Sequence, residues 1–267
     1  MGRKRRLDSL LVDRGLVPTR ERAKALILAG AVEAGSRRDL KPGTTVEPGT
    51  SIRILSDPIP YVSRGGLKLA HALRVLELDL TGCVCLDVGA STGGFTDCLL
   101  KFGASSVFAV DVGRGLLDWN IRNDPRVTVL EGLNARNLCA ENLPSRPDLS
   151  VIDVSFISLR LILPPVASLL KPGGRIVSLV KPQFEVGKGE VGKGGIVRRA
   201  SKHVSVLSGL VEFCMTVGLT ATEVLVSPIT GAKGNVEYFL LIKPGNDRNR
   251  VTLDKVEAIV SKAMEEG

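Results

Sequence analysis

Residues 84–97 read VCLDVGASTGGFTD. A short apolar run ends in Asp87, then Gly89, Ala90, Ser91, Thr92, Gly93 and Gly94 form a tight turn of small residues, and a helix is expected to open at Phe95 or Thr96. Strand, small-residue loop and helix in that order make a cofactor-binding turn. Glycines there let a ligand lie against bare backbone, and the free N–H groups at the helix start can hold a carboxylate or a phosphate. A dinucleotide fold needs G-x-G-x-x-G to pass a pyrophosphate over the helix start, and this spacing differs: Gly89 is followed by Ser91 and then by the Gly93-Gly94 pair. D-x-G-x-S-x-G-G suits S-adenosylmethionine better, because that ligand has no phosphates and Asp87 at the strand end can meet its cationic amino-acid end. The alternative is a sharp turn with no ligand, which would order six small residues in a row at a considerable entropic cost.

A chain of 267 residues is long enough for one large α/β domain and a small appendage. Its charge is uneven: residues 1–60 carry 12 Lys and Arg against 7 Asp and Glu, a net +5 of the total +8. The short N-terminal part therefore reads as the handle for a polyanion. The five cysteines (Cys83, Cys85, Cys98, Cys139, Cys214) form no CxxC pair, and the two histidines, His71 and His203, fall in helical pattern. That excludes a disulfide framework and gives no recognisable metal site. The basic start MGRKRR lacks the apolar core of a signal peptide, and no apolar run approaches the ~20 residues of a membrane span. The expectation is a soluble, cytoplasmic, monomeric protein without a membrane role.

From about residue 5 to 57, Leu7, Leu10 and Leu11 recur at helical spacing before Gly15. Ala23, Leu26 and Ile27 do so between Thr19, a possible N-cap, and Gly30. Two short helices and a few short strands with Pro-Gly turns are predicted, with a basic outer surface. The run RLDSLLVDRGLVPTRERAKALILAGAV resembles the small RNA-binding module of ribosomal proteins and pseudouridine synthases. That resemblance makes Arg6, Arg20, Arg22, Lys24 and Lys41 candidate phosphate contacts. Residues 1–60 contain no aromatic side chain, so recognition by shape and backbone is expected in place of base stacking.

DPIPYVSRGGLKLAHALRVLELDL joins the parts, with a linker at about 57–64 between a module at 1–60 and a domain at 61–267. Ser63 can cap a helix whose inward residues are Leu67, Ala70, Leu73 and Leu76. Lys68 in its first turn opposes the dipole and so suggests another task. Beyond residue 83, strand-like runs alternate with helices: VCLDVGA, SSVFAVDVG, RVTVLEG, DLSVIDVSF and RIVSLVKP. TEVLVSP and VEYFLLIKP follow, separated by a Gly-rich turn and read as an antiparallel pair at one edge. The fold predicted is α/β, a Rossmann-like domain with a seven-strand, mostly parallel sheet preceded by a small α+β RNA-binding module, and by fold-level analogy this plan resembles the class I methyltransferase arrangement. Strand ends carry the chemistry in such sheets. Asp111 ends the second strand, where an acid would accept ribose hydroxyls. Asn134 follows the third, near the adenine; Asp153 and Phe156 end the fourth, Lys181 ends the fifth, and Glu237 lies in the last. Two acids and two lysines at one rim would leave each lysine a counter-ion. Desolvation and the neighbouring cation would lower the Lys181 ammonium pKa while the carboxylates oppose the shift. Such a lysine can take a proton from a sugar hydroxyl attacking a methyl group.

The stretches VSRGGLKL, DVGASTGGFTD, NDPRV, NAR, DVSFISL, LVKPQFEVGKG and GNVEYFL together resemble the haemolysin-A-type (TlyA) ribosomal RNA 2′-O-methyltransferases, in the wider FtsJ-like group, over almost the full length. The resemblance implies a catalytic tetrad of Lys68, Asp153, Lys181 and Glu237. It implies a cofactor site from Gly89 to Phe95 with Asp111, Asn134 and Phe156, and a cytidine ribose in ribosomal RNA or ribosomal subunits as target, with a link to tuberactinomycin-type antibiotic sensitivity. Relatives with an extended basic N-terminus and a C-terminal helix resemble those acting on both subunits, and this chain has MGRKRR and VTLDKVEAIVSKAMEEG. Arg64 and Lys188 are further candidate RNA contacts. One departure is the linker, Ile-Pro-Tyr-Val where some relatives have an Arg and a Trp. Two rival classes remain: a membrane-active haemolysin, for which the acidic tail helix and the lack of a span provide no means, and an RNA-binding protein with an inactive methyltransferase fold.

Overall fold

A computed structural model describes residues 4–28, 31–37, 40–55, 60–187, 189–231, 233–246 and 250–265. The chain divides into two compact units, Met1–Ser63 and Arg64–Gly267.

In the first unit, β1 (Arg5–Arg6) leads into α1 (Leu7–Asp13), followed by α2 (Arg20–Leu28), β2 (Val32–Ala34), β3 (Thr45–Val46) and β4 (Ile52–Ile54). β1 pairs antiparallel with β3, and β2 with β4. The apolar spacing that predicts the two helices also builds their core, where Leu7, Leu10, Leu11, Ala23, Leu26 and Ile27 bury against Val32 and Val46. Thr19 caps α2, its Oγ1 accepting the Arg22 N–H at 3.2 Å. The expected stop at Gly30 lies outside the described residues.

The second unit opens with α3 (Gly65–Val75), β5 (Val84–Val88), α4 (Gly94–Lys101), β6 (Ser106–Asp111), α5 (Trp119–Arg122) and β7 (Val127–Glu131). It continues through β8 (Leu149–Ile152), α6 (Leu163–Leu169), β9 (Arg175–Val180), α7 (Pro182–Glu185), α8 (Ala200–Thr216), β10 (Leu219–Val226), β11 (Tyr238–Pro244) and α9 (Leu253–Glu265). Among the described residues the sheet has seven strands in the order β10-β11-β9-β8-β5-β6-β7. β5 to β9 are mutually parallel, and β11 runs antiparallel to both of its neighbours. The order reverses at β5, which lies between β6 and β8, so a crevice opens at the carboxyl end of that strand. One core cluster joins Leu86, Phe108 and Ile152 of the strands to Val166 of α6, Leu210 of α8 and Val260 of α9. Parallel strands covered by helices are buried on both faces, which is why β5, β6 and β8 are mostly apolar along their length.

Four local expectations need correction. α4 opens at Gly94, one residue early, because Gly93 takes a left-handed conformation (φ 91°) that begins the helix. Ser63 does not cap α3: Arg64 stands at the N-cap, without a side-chain cap bond. The buried face of that helix keeps Ala70 and Leu73 of the expected set but adds Leu69 and Ala72, while Leu67 and Leu76 are only partly buried, and Lys68 is buried with it. Glu237 immediately precedes β11, and the connection from β10 spans 227–237, longer than a tight turn.

Candidate active site

The turn after β5 is held by the strand beside it. The N–H groups of Gly89 and Ala90 both donate to Val110 O, at 2.8 and 3.0 Å. Asp111, ending β6, accepts the Ser91 N–H on Oδ2 at 2.8 Å and the Gly113 N–H on Oδ1 at 2.7 Å. Gly89 has φ 88°, and a Cβ added there would lie 2.5 Å from Asp153 O; one at Gly93 would lie 2.9 Å from Leu117 Cδ1. The backbone approach at Gly89 and the positive φ at both positions (88° and 91°) favour glycine. Thr92 is exposed and Ala90 buried in the same turn, and Thr92 O accepts the Asp118 N–H at 3.1 Å. The Phe95 ring, expected at the ligand, is buried 6.3 Å from the ring of Phe239, which leaves its backbone to the turn.

Asp87 is fully buried. Its Oδ2 accepts the Thr96 hydroxyl at 2.6 Å, and its Oδ1 has no hydrogen-bond partner among the described residues. Burial pushes its carboxyl up to about 7, against the Thr96 hydrogen bond and reinforced by Asp153 and Asp111. An unsatisfied carboxylate oxygen in an apolar setting calls for a donor, preferably a cation. The orphan Oδ1 and the Cβ-free cradle together fit the ammonium-bearing end of S-adenosylmethionine, with the Asp111 carboxylate at the next strand end. Asn134 follows β7 and is exposed, its Oδ1 accepting the Arg136 N–H at 3.1 Å. Phe156 is 90% exposed, has φ 63°, and stands 4.9 Å from the Phe184 ring. A bulky residue held in the left-handed region costs about 1–3 kcal/mol and marks a constrained loop.

The strand register brings the charged residues to one rim. Tyr238 pairs with Val180 and Ile152 with Ser178, so Glu237, Lys181 and Asp153 leave the sheet side by side. Asp153 N–H donates to Val88 O at 2.9 Å, which sets it against the glycine turn. Lys68 Nζ donates to Glu237 Oε2 at 2.6 Å with both side chains nearly buried. Lys181 Nζ lies 2.6 Å from Asp153 Oδ1, at an angle that makes an ion pair but no directed hydrogen bond, and donates to Ser155 Oγ at 2.9 Å. Each lysine thus faces one carboxylate, and the four groups form two pairs.

Sequence reasoning missed Ser155, two residues beyond Asp153, and Gly231, where an added Cβ would overlap Glu237 Oε1. It also missed Glu185, which accepts from Ser158 Oγ and from Leu159 N–H, both at 2.7 Å, and so ties α7 to the loop after β8. Burial raises the Glu185 carboxyl pKa. Of these, only Ser155 and Glu185 carried a signal, since both lie inside the DVSFISL and LVKPQFE stretches.

The candidate RNA contacts of the first unit are partly engaged. Arg6 holds Asp8 through both carboxylate oxygens, at 3.0 and 2.8 Å, and Arg20 reaches Asp8 Oδ2 at 3.2 Å. The Arg6 guanidinium holds the Asp8 carboxyl well below the usual carboxylate range, with Arg20 adding to it. Arg22 donates to Tyr61 O at 3.2 Å. Lys24 is half-buried and Lys41 exposed, and Arg64 is exposed at the start of α3. Lys188 lies outside the described residues.

Residues 61–243 match the FtsJ-like methyltransferase family, and residues 5–52 match the S4 domain. The chain belongs to the FtsJ-like methyltransferases. This methyltransferase is 44% identical over 268 residues to the 16S/23S rRNA (cytidine-2′-O)-methyltransferase TlyA of Mycobacterium tuberculosis, a match that covers 100% of each chain. It is 39% identical to Hemolysin A of Brachyspira hyodysenteriae, over 87% of this chain and 97% of that one. A solved structure from Streptococcus thermophilus, described as a hemolysin, aligns with a TM-score of 0.79 at 41% identity, over 98% of this chain and 96% of that one. The FtsJ-like methyltransferase fold therefore carries an S4 module at its N-terminal side, as the resemblance of RLDSLLVDRGLVPTRERAKALILAGAV led us to expect.

Proposed function

We propose that this methyltransferase transfers the methyl group of S-adenosylmethionine to the ribose 2′-hydroxyl of cytidine in ribosomal RNA, in both ribosomal subunits, as a cytoplasmic monomer. One observation carries the reading: two lysine–carboxylate pairs stand at the rim of β8, β9 and β11, and Asp153 of one pair lies directly against the Gly89 turn. When bound, the cofactor supplies an electrophilic methyl on a cationic sulfur. The chain must then hold a hydroxyl in line and receive its proton. Lys181, directed by Asp153 and Ser155, holds the hydroxyl oxygen, and the Lys181–Asp153 pair takes the proton as the oxygen–methyl bond forms and the methyl–sulfur bond breaks. Lys68 and Glu237, more deeply buried, orient the ribose. Asp87 meets the cofactor ammonium, and Asp111 its ribose. The S4 match and the surplus of cations before residue 61 support RNA as the substrate, and the name of the M. tuberculosis relative supports cytidine and both subunits.

A membrane-active protein would need apolar surface to insert, and no helix among the described residues is long and apolar enough to cross a membrane. The test is to map 2′-O-methyl groups on ribosomal RNA from cells with and without the protein, alongside transfer of labelled methyl by the purified chain. Identical maps together with no transfer in vitro would overturn the reading. Titration with S-adenosylmethionine then separates an inactive RNA-binding protein, which shows no binding, from an enzyme lacking its proper substrate.

A further inference from the structure

The connection from α7 to α8, residues 186–199, is basic and glycine-rich, and the reaction described above makes no use of it. It is anchored at one buried residue. Val197 is 3% exposed; its N–H donates to Asn235 Oδ1 at 2.9 Å, and its carbonyl accepts from His203 Nε2 at 2.8 Å. Asn235, also buried, donates through Nδ2 to Gly195 O at 2.8 Å. The Tyr238 hydroxyl lies 3.0 Å from His203 Nδ1. Since Nε2 faces a carbonyl it carries the proton, so Nδ1 accepts from the tyrosine and the ring is neutral. Asn235 and Tyr238 stand on either side of Glu237 in sequence. Two independent chains of buried hydrogen bonds therefore fix Val197 relative to the carboxylate that holds Lys68.

Arg198 and Arg199 leave the fold at once beyond that anchor. Both are exposed, and neither side chain has an ion-pair or hydrogen-bond partner among the described residues. With Lys202, Glu190, Gly189 and Gly192 they line a cavity of about 460 Å³. Lys202 is already committed, pairing with Glu190 Oε1 at 3.4 Å and donating to Glu190 O at 3.1 Å. The two guanidiniums are thus left uncompensated. Part of the facing wall is glycine backbone, where a Cβ added at Gly192 would lie 2.7 Å from Ile196 O. A planar fork of donors suits the paired oxygens of a phosphodiester.

We propose that this cavity holds a backbone phosphate of the RNA strand whose ribose is methylated, with Arg198 and Arg199 as its contacts and the Val197 anchor fixing its place relative to Glu237. The proposal rests on RNA being the substrate, as argued above. Phosphate contacts position a strand without reading its sequence, and one tied to Glu237 through buried bonds sets which nucleotide reaches Lys181.

The test uses the full chain and a ribosomal RNA transcript containing the methylated nucleotide. Binding is measured over a salt series, and methyl transfer in parallel. In Arg198→Ala/Arg199→Ala, affinity for the transcript should fall and the log–log salt slope should flatten by roughly one unit for each lost contact. Cofactor affinity and melting temperature should stay unchanged, and Arg198→Lys/Arg199→Lys should restore the slope. An unchanged slope in the alanine variant, with methyl transfer by the wild type intact, overturns this site and leaves the reaction standing. A flattened slope in the alanine variant, with no methyl transfer by the wild type, supports the site and overturns the reaction. Asn235→Ala tests the tie separately: at unchanged salt slope and with a folded protein, kcat at saturating RNA should fall, and an undiminished kcat overturns the positioning.

Discussion

At residue scale the site depends on atoms that have no room to move. Gly89 is pressed against Asp153 O at a positive φ, so Gly89→Ala must shift either the turn or the catalytic loop. We expect it to abolish measurable cofactor binding and to cost about 1–3 kcal/mol of stability, by calorimetry and denaturant titration. Lys181 makes a cleaner separation, because its partners are Asp153 and Ser155 and no atom of the glycine turn. Lys181→Ala should lower kcat on the order of 10²-fold or more, as expected when the pair that holds the hydroxyl and takes its proton is broken, with cofactor affinity preserved. Full activity in that variant would remove Lys181 from the reaction. Such residues were legible because the sequence repeats a strict chemical demand, a carboxylate before small residues and a lysine at a strand end. Phe95 was not, since the direction of a side chain at a helix start is set by what packs there, and Phe239 comes from the far end of the chain. Gly231 carries no local signal either: its importance lies in the Glu237 oxygen folded against it.

At the scale of elements, alternation of strands and helices was readable because buried parallel strands must be apolar and their connections must be long enough to cross the sheet. The placement of β11 between β9 and β10 was less so, because a hairpin pattern does not say which of its strands joins the sheet. That placement brings Glu237 beside Lys181. Gly231→Ala, with no strained backbone at that position, should displace the Glu237 carboxylate alone; kcat should fall roughly 10- to 100-fold from a misplacement of about an ångström while cofactor affinity holds. The joint between α8 and β11 adds a pH dependence. Burial lowers the His203 pKa below its ordinary value. The unfolded chain therefore binds a proton at a higher pH than the folded one. Stability from this group is complete above its unfolded value near ~6.5 and declines as pH falls toward the folded value. Wild type should lose more melting temperature between pH 7 and pH 5 than His203→Gln does, and equal losses would assign the acid sensitivity to other groups.

At the scale of the whole molecule, two units with separate cores divide the work. Leu7, Leu11, Leu26 and Ile27 belong to one cluster, and the sheet with α6, α8 and α9 belongs to another. No residue of the turn or of the two lysine–carboxylate pairs precedes Arg64. A chain lacking residues 1–63 should therefore fold, melt cooperatively and bind S-adenosylmethionine, yet lose most activity on ribosomal RNA. The reason is the surplus of cations before residue 61, whose phosphate contacts release counterions and whose loss weakens binding most at physiological salt. The buried Asp8 tempers this surplus: it compensates part of the charge of Arg6 and Arg20, and Arg22 donates to the Tyr61 carbonyl. Arg20→Ala/Arg22→Ala in the full chain should consequently flatten the salt slope by less than the two units that free arginines would give. Asp8→Asn, which releases both guanidiniums at the cost of a buried ion pair, should steepen it. If instead neither substitution changes the slope, these arginines serve only the fold of the S4 module, and the strand is held by contacts beyond residue 63.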